Sequence, residues 1–463
     1  MKRKGFLNRV ICLALVGAFV FGLAGCGDAT NSSSDDITTI TIWSSSSHSR
    51  ELYTRLVDEF NNTTGKKEGI KVVYEIKEGN IGQAIDLALA SDQAPELFIG
   101  GNIATLAEKG QIIALEDVKG GQELIDKYKD KLVPFTNTYN GKTYTIPAGA
   151  MLTALVYNKD MFKAAGLVDE NGEPTPPKTM KELREYAKKL TNVSKSEFGI
   201  MLPLKWSGWF GSDIESVVIA SYGRKGYDPA TGKFDYSIYK PVIDTFMGIK
   251  EDKSYVPGAE GIDNDPARAH FSEGKVGMKF AGQFDVAVYN DQFPAKINWG
   301  VAPIPVVDPD NRYCQQISYG NSARINAKAV EKVGEEKLMT VYKWLYSDEV
   351  LAAAYIDCLT IPVDQEIIAE TKIDNPKNGW VEFSEMTSIC AMQPVELRTD
   401  VTGQKTLAEL FVNEIWTGRQ TVSSVLDSYT KMMNEAALKY QENNPTYSPD
   451  DFINPDWEAK RLD

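Results

Sequence analysis

This chain describes an α/β protein with more than one core, and three observations carry that expectation. Strand-like alternation and helix-like spacing take turns from Ile37 to Ile99. At 463 residues the chain exceeds the roughly 100–200 that one core absorbs, which favours two or three domains. Its 43% of apolar residues supply material to fill them, and a charged fraction of 25% excludes wholesale disorder.

The first strand runs from Ile37 to Trp43, after which Ser44 to Ser47 turn the chain and offer a helix cap. Leu52, Leu56 and Phe60 then share one stripe of a helix, with Tyr53 and Val57 beside it and Gly65 at its exit. A second strand spans Ile70 to Ile76, and Ile81, Ile85 and Leu89 repeat at helical spacing before Pro95. The run Leu97-Phe98-Ile99 closes the unit at Gly100-Gly101-Asn102. Such alternation implies parallel strands joined by right-handed crossovers, with ligands approaching the carboxyl ends of the strands. Trp43 and Asn102 fall at such ends. Asn140-Gly141 is a hairpin turn signal between Thr138-Tyr139 and Lys142 to Pro147. Thr179-Met180-Lys181-Glu182 is a capping box opening a helix with Leu183, Ala187 and Leu190 inward. Beyond Pro266 a short helix ends at Gly274, and Val276 to Phe280 returns as a strand. The last third is helical: Leu338, Val341, Tyr342 and Leu345 share a face, as do Leu407, Leu410, Phe411 and Ile415, and then Val422, Val425, Leu426, Tyr429 and Met433. No repeat of 20 to 50 residues is present.

Charge and composition remove several functions. The chain carries 64 acidic against 50 basic residues, and four of the basic ones lie in its first nine residues. Such an acidic body repels phosphate backbones, so no nucleic-acid partner is expected. Two histidines, His48 and His270, give little material for a histidine metal or general-base centre. Cys314, Cys358 and Cys390 are widely spaced without a CxxC, which excludes a disulfide-rich scaffold and a four-cysteine zinc site; they are expected as small buried hydrophobes. Asp263-Asn264-Asp265 lacks the further ligands of a calcium loop and is expected as a solvated turn.

The amino terminus carries an address. Lys2-Arg3-Lys4 and Arg9 precede an apolar run from Val10 to Ala24, too short to span a bilayer and flanked as a secretory signal is. Leu23-Ala24-Gly25-Cys26 resembles a bacterial lipobox, in which the cysteine thiol takes a diacylglyceryl group and becomes the new first residue. Two acyl chains suffice for stable anchoring. The expectation is a signal peptide over 1–25, then a lipidated Cys26 and flexible tether over 26–36, leaving the protein on the extracytoplasmic face of a Gram-positive cell membrane.

Five stretches in register carry a resemblance. These are Tyr139 to Pro147, Ala154 to Phe162, Ala165-Gly166-Leu167 with Pro177-Lys178-Thr179, Phe271 to Met278, and Trp299 to Pro305. Together the chain resembles family 1 extracellular solute-binding proteins, the family of maltose-binding protein, over essentially its whole mature length. The resemblance implies a two-lobed periplasmic-binding-protein-like fold of type II, each lobe a mixed sheet flanked by helices, with three interlobe crossings. Crossings are placed near Asn158, Gly282 and Asn326-Ala327. That gives lobe 1 as 37–157 and 282–327, and lobe 2 as 158–281 and a helical 328–463. The implied function is capture of a sugar or oligosaccharide between the lobes and delivery to an ABC permease, by a monomer without cofactor.

The candidate ligand contacts follow from position. Trp43, Ser44, Ser45 and Asn102 belong to the first lobe's rim, and Trp206 and Trp209 to an aromatic platform on the second. Gln283, Tyr319 and Asn321 lie near the crossings. Several carbohydrate-binding members carry an acidic residue where this chain has Met151-Leu152-Thr153, and Arg50 hints at an acidic sugar. A receptor for a peptide or polyamine is the alternative, and a glycosidase built on two facing carboxylates a further one.

Overall fold

Alternation in Thr38–Ser44 buries Ile40 and Ile42, and the same pattern in Ile70–Ile76 buries Ile70 and Val72. These strands pair in parallel along their whole length, and Leu97–Phe98 joins on the other side, also parallel. The computed structural model describes residues 37–77, 80–320, 322–445 and 447–462. The signal, Cys26 and the tether lie outside the described residues.

The first sheet has the order Ile70–Ile76, Thr38–Ser44, Leu97–Phe98, Arg324–Asn326, Ile112–Ile113. Arg324–Asn326 runs antiparallel between its two neighbours, which makes the sheet mixed. Helix Arg50–Asn62 covers it with Val57 and Phe60, while its Leu52 and Leu56 pack against Val350, Ala354 and Leu359. The chain leaves that helix through a second one, Thr64–Glu68, ended by Gly69 at φ +64°. Gly65 is therefore not the exit: it sits buried where a Cβ would strike the Ile70 carbonyl. The Asn140-Gly141 turn has both residues at positive φ, between paired strands Thr138–Tyr139 and Lys142–Thr143.

The second sheet is organised by one long strand, Gly149–Asn158. It pairs antiparallel with Val276–Gly282, Trp299–Ala302, Gln315–Tyr319 and Ile361–Pro362. Phe198–Ile200 adds in parallel beside Val276–Gly282. Helix Met180–Leu190 packs Met180, Leu183, Ala187 and Leu190 into this lobe, started by the capping box of Thr179 and Glu182.

The pairing puts the crossings elsewhere than the sequence suggests. Ala148 belongs to the first lobe's core and Ala150 to the second's, so the first crossing is at Gly149. The second lies between Tyr319 and Ala323, and the third near Thr360. Asn158 is the buried N-cap of Lys159–Ala164 and still pairs with Trp299; its capping role, not a lobe boundary, ends the strand. Gly282 pairs with Thr153 inside the second sheet, and Asn326 already pairs with Ile112 in the first. The helical face Leu338, Val341, Tyr342 and Leu345 packs on lobe 1, because 329–356 directly follow Arg324–Asn326, the strand that returns to that sheet; only the helices from Trp380 onward complete lobe 2. All three crossings converge. The Gly320 N–H donates to the Gly149 carbonyl, and a Cβ on Gly149 would collide with Thr360.

Among the described residues no helix is long and apolar enough to cross a membrane. Cys314 and Cys358 are buried, Cys390 is half-buried with its thiol pushed up to about 12 by burial, and all three are free. Asp263 is no solvated turn but the N-cap of helix Asn264–Ser272, accepting from the Asn264 N–H at 2.8 Å.

Candidate functional site

Three cavities form a row along lobe 2, the first and the third of them also walled by lobe 1. The first, of about 220 Å³, lies at the crossings. Its lobe 1 wall is a stacked pair, Tyr53 and Tyr74, with ring centroids 4.4 Å apart and planes 10° from parallel. Tyr53 comes from the helix after the first strand and Tyr74 from the neighbouring strand, so the pair stands at the carboxyl ends of the parallel strands. Burial pushes the Tyr53 hydroxyl up to about 12. Phe284, Ala150 and Met151 line it from lobe 2, with Ala148 and Gly149 at the crossing. His48 reaches across from lobe 1, its ring 6.4 Å from that of Phe284. Burial, then the positive charge of Arg268, holds its imidazole below the usual range and therefore neutral.

The second cavity, of about 330 Å³, shares Met151 and Phe284 with the first and adds Trp206, Thr153, Ser212 and Ser216. The third, of about 460 Å³, shares Glu215, Lys225, Gln316 and Ser318 with the second. Its walls are Phe210, Tyr236, Tyr239, Tyr319 and Tyr429 from lobe 2 and Val133 and Thr136 from lobe 1. Lys225 Nζ lies 3.1 Å from Glu215 Oε1. Burial opposes the Lys225 charge, but Glu215 and Glu396 outweigh it and raise the ammonium above its ordinary range. Burial also raises the Glu396 carboxyl, against the pull of Lys225. Two grooves of about 570 and 560 Å³ lie on lobe 2 alone, lined by surface lysines and carboxylates and apart from this row.

A π-helical turn, Phe210–Glu215, shapes the floor of the second and third cavities. It aims Glu215 into the cleft and turns Asp213 inward, where the side chain is fully buried. Among the described residues neither Asp213 oxygen has a well-aligned hydrogen-bond partner, and burial pushes its carboxyl up to about 7 although the Lys279 charge and the nearby Ser212 hydroxyl pull the other way. Lys279, also buried, lies 3.6 Å from Asp285, and Asp285 accepts two hydrogen bonds from Arg268. Lys279, Asp285 and Arg268 thus form an ionic chain that reaches the His48 contact.

The residues picked from the sequence scatter. Ser45 is exposed and lines the first cavity, Trp206 the second and Tyr319 the third. Gln283 lines the first cavity but is 3% exposed and spent on structure: its Oε1 accepts from the Leu152 N–H at 3.1 Å. Trp43 lines none of the three. It packs beside Ile85 and Phe98 with Lys77 Nζ 4.0 Å over its ring. Ser44 is fully buried, its Oγ accepting from the Ser46 N–H. Asn102 is exposed and caps helix Ile103–Glu108 through the Thr105 N–H. Trp209 is 3% exposed and belongs to the lobe 2 core, against Phe210 and Phe411, because the helix begins at it and turns it inward. Asn321 lies outside the described residues. Arg50 is exposed on its helix. Sequence reasoning missed the Tyr53–Tyr74 pair, Phe284, Tyr236 and the Glu215–Lys225–Glu396 cluster. Tyr53 carried a signal, lying beside the apolar stripe rather than on it.

Comparison with known proteins places this arrangement. The profile of the bacterial extracellular solute-binding protein family matches residues 45–352. The maltotriose-binding protein of Pyrococcus abyssi (strain GE5 / Orsay) is 25% identical over 317 residues, 66% of this chain and 62% of that protein. The sn-glycerol-3-phosphate-binding periplasmic protein UgpB of Brucella abortus (strain 2308) is 30% identical over 267 residues, 55% of this chain and 58% of that one. This chain therefore spans about three-fifths of the length of these two relatives. In structure, the maltose/maltodextrin-binding domain MalE from Bdellovibrio bacteriovorus bound to maltotriose superposes with a TM-score of 0.67 at 18% identity, covering 88% of this chain and 100% of that one.

Proposed function

The chain belongs to the bacterial extracellular solute-binding protein family, and from that premise we propose that it captures a sugar or oligosaccharide in this row of cavities and delivers it to an ABC permease. The observation that carries the reading is the lining itself. Aromatic faces at Tyr53, Tyr74, Phe284, Trp206 and Tyr236 alternate with serine, glutamine and carboxylate groups along one cleft. A sugar ring presents a C–H face that packs on an aromatic plane and hydroxyls that need both donors and acceptors. A buried polar group left unmet costs about 1–3 kcal/mol, so the hydroxyl pattern sets which sugar is held. Contacts from both lobes favour the closed form, and the permease reads that form. The protein does not act as an enzyme. Before capture it is held at the outer membrane face by lipid on Cys26, as a monomer.

Titration calorimetry against maltotriose, raffinose, xylotriose and chitotriose tests the proposal. At least one neutral oligosaccharide is expected to bind near micromolar, about −8 kcal/mol. Binding of peptides or polyamines alone would overturn the sugar reading, and catalytic release of reducing ends would overturn the receptor reading.

A further inference from the structure

The charges of the cleft are few and unbalanced. The residues lining the three cavities include two carboxylates, Glu215 and Glu396, one ammonium, Lys225, and the neutral His48. Lys225 is engaged by Glu215 at 3.1 Å, and the Arg268 guanidinium nearest the first cavity is consumed by Asp285 and Asp265. Among the described residues no donor is hydrogen-bonded to the Glu396 carboxylate, and the buried Gln393 Oε1 in the same cavity has no partner either. The far cavity is thus net negative, walled by aromatic rings and rich in unfilled acceptors. An incoming hydroxyl donates to these acceptors. An incoming phosphate or carboxylate brings acceptors to acceptors and negative charge to negative charge, in surroundings where water screens poorly.

We propose that the Glu215–Lys225–Glu396 cluster is the specificity-determining element of the cleft, accepting hydrogen bonds from a neutral sugar unit and rejecting one that bears a phosphate or carboxylate. The inference rests on the carbohydrate reading of the same cleft and narrows it. It places this chain apart in ligand charge from a glycerol-phosphate receptor, although one relative named for a sugar and one named for glycerol phosphate match parts of it at 25% and 30% identity. Discrimination here comes from a repulsive element as much as from an attractive one.

The test compares neutral ligands with acidic counterparts of similar size on the intact protein. Maltotriose, raffinose and xylotriose are set against trigalacturonate and maltose phosphate by calorimetry. The neutral set is expected to contain a binder, and each acidic probe to bind about a hundredfold more weakly or not at all. Glu396→Gln, which removes the net negative charge, is expected to narrow that gap about tenfold while the unfolding midpoint holds. Equal or tighter binding of an acidic probe by the wild-type protein overturns the proposal and leaves the receptor reading standing. A folded Glu396→Gln protein with the gap unchanged overturns it too. Should that variant fail to fold, the wild-type comparison alone decides. If no sugar of either charge binds, the carbohydrate reading fails and takes this inference with it.

Discussion

Asp213→Asn should stabilise the protein, by an amount that grows as pH rises from about 4 to about 7. The wild-type carboxyl is fully buried without a well-aligned hydrogen-bond partner among the described residues and is pushed from 3.8 up to about 7. A shift of about three pH units corresponds to about 4 kcal/mol between the two protonation states. The folded chain holds a proton that the unfolded chain has released, so the stability tied to this group is intact below about pH 4 and is lost as pH rises through about 7. Asparagine keeps the shape and removes the titration. At pH 5 the variant should be more stable by about 1.7 kcal/mol, and at pH 8.5 by about 4 kcal/mol. Urea unfolding followed from pH 5 to 8.5 measures this. Parallel curves, with a difference that does not change with pH, would show that Asp213 is ionised in the fold and that the burial argument is mistaken.

Trp206→Ala is expected to weaken sugar binding about tenfold or more, about 1.4 kcal/mol, with little change in unfolding. Trp209→Ala, three residues on, should instead cost about 3–5 kcal/mol of stability, since it empties a core site; calorimetry and urea melts separate the two. Thr179→Ala removes the hydroxyl that accepts from the Glu182 N–H at 3.1 Å and should lower stability by about 1 kcal/mol with ligand affinity unchanged. Cys26→Ser should shift the protein from the membrane fraction to the medium; unchanged membrane retention would refute lipidation.

What the sequence announced correctly is local. The parallel unit of Thr38–Ser44, Ile70–Ile76 and Leu97–Phe98, the Asn140-Gly141 turn and the Thr179 capping box each depend on side chains a few residues apart. The crossings depend on which distant strands pair, and nothing within ten residues of Gly149 states that Thr360 and Gly320 will meet it. The site shows the same divide. Trp206 and Trp209 look alike in Lys205 to Phe210, and only the onset of helix after Trp206 sends one to the cleft and the other to the core. Asn102 and Gln283 have the chemistry of ligand contacts and use it on backbone N–H groups instead. Glu215, Lys225 and Glu396 come together from a π turn, a loop and a segment far along the chain, so no spacing betrays them.

Strand Gly149–Asn158 ties assembly of the second lobe to the far end of the chain. Its partners begin only at Val276 and end at Pro362, so during synthesis it emerges with bare edges and waits. The first lobe waits as well, because Arg324–Asn326 must insert between Leu97–Phe98 and Ile112–Ile113. Pairings between such distant residues form slowly, since long loops must close before the contacts that reward them. Neither sheet can be completed before the chain reaches Asn326 for the first and Pro362 for the second, so both lobes share the same late requirement.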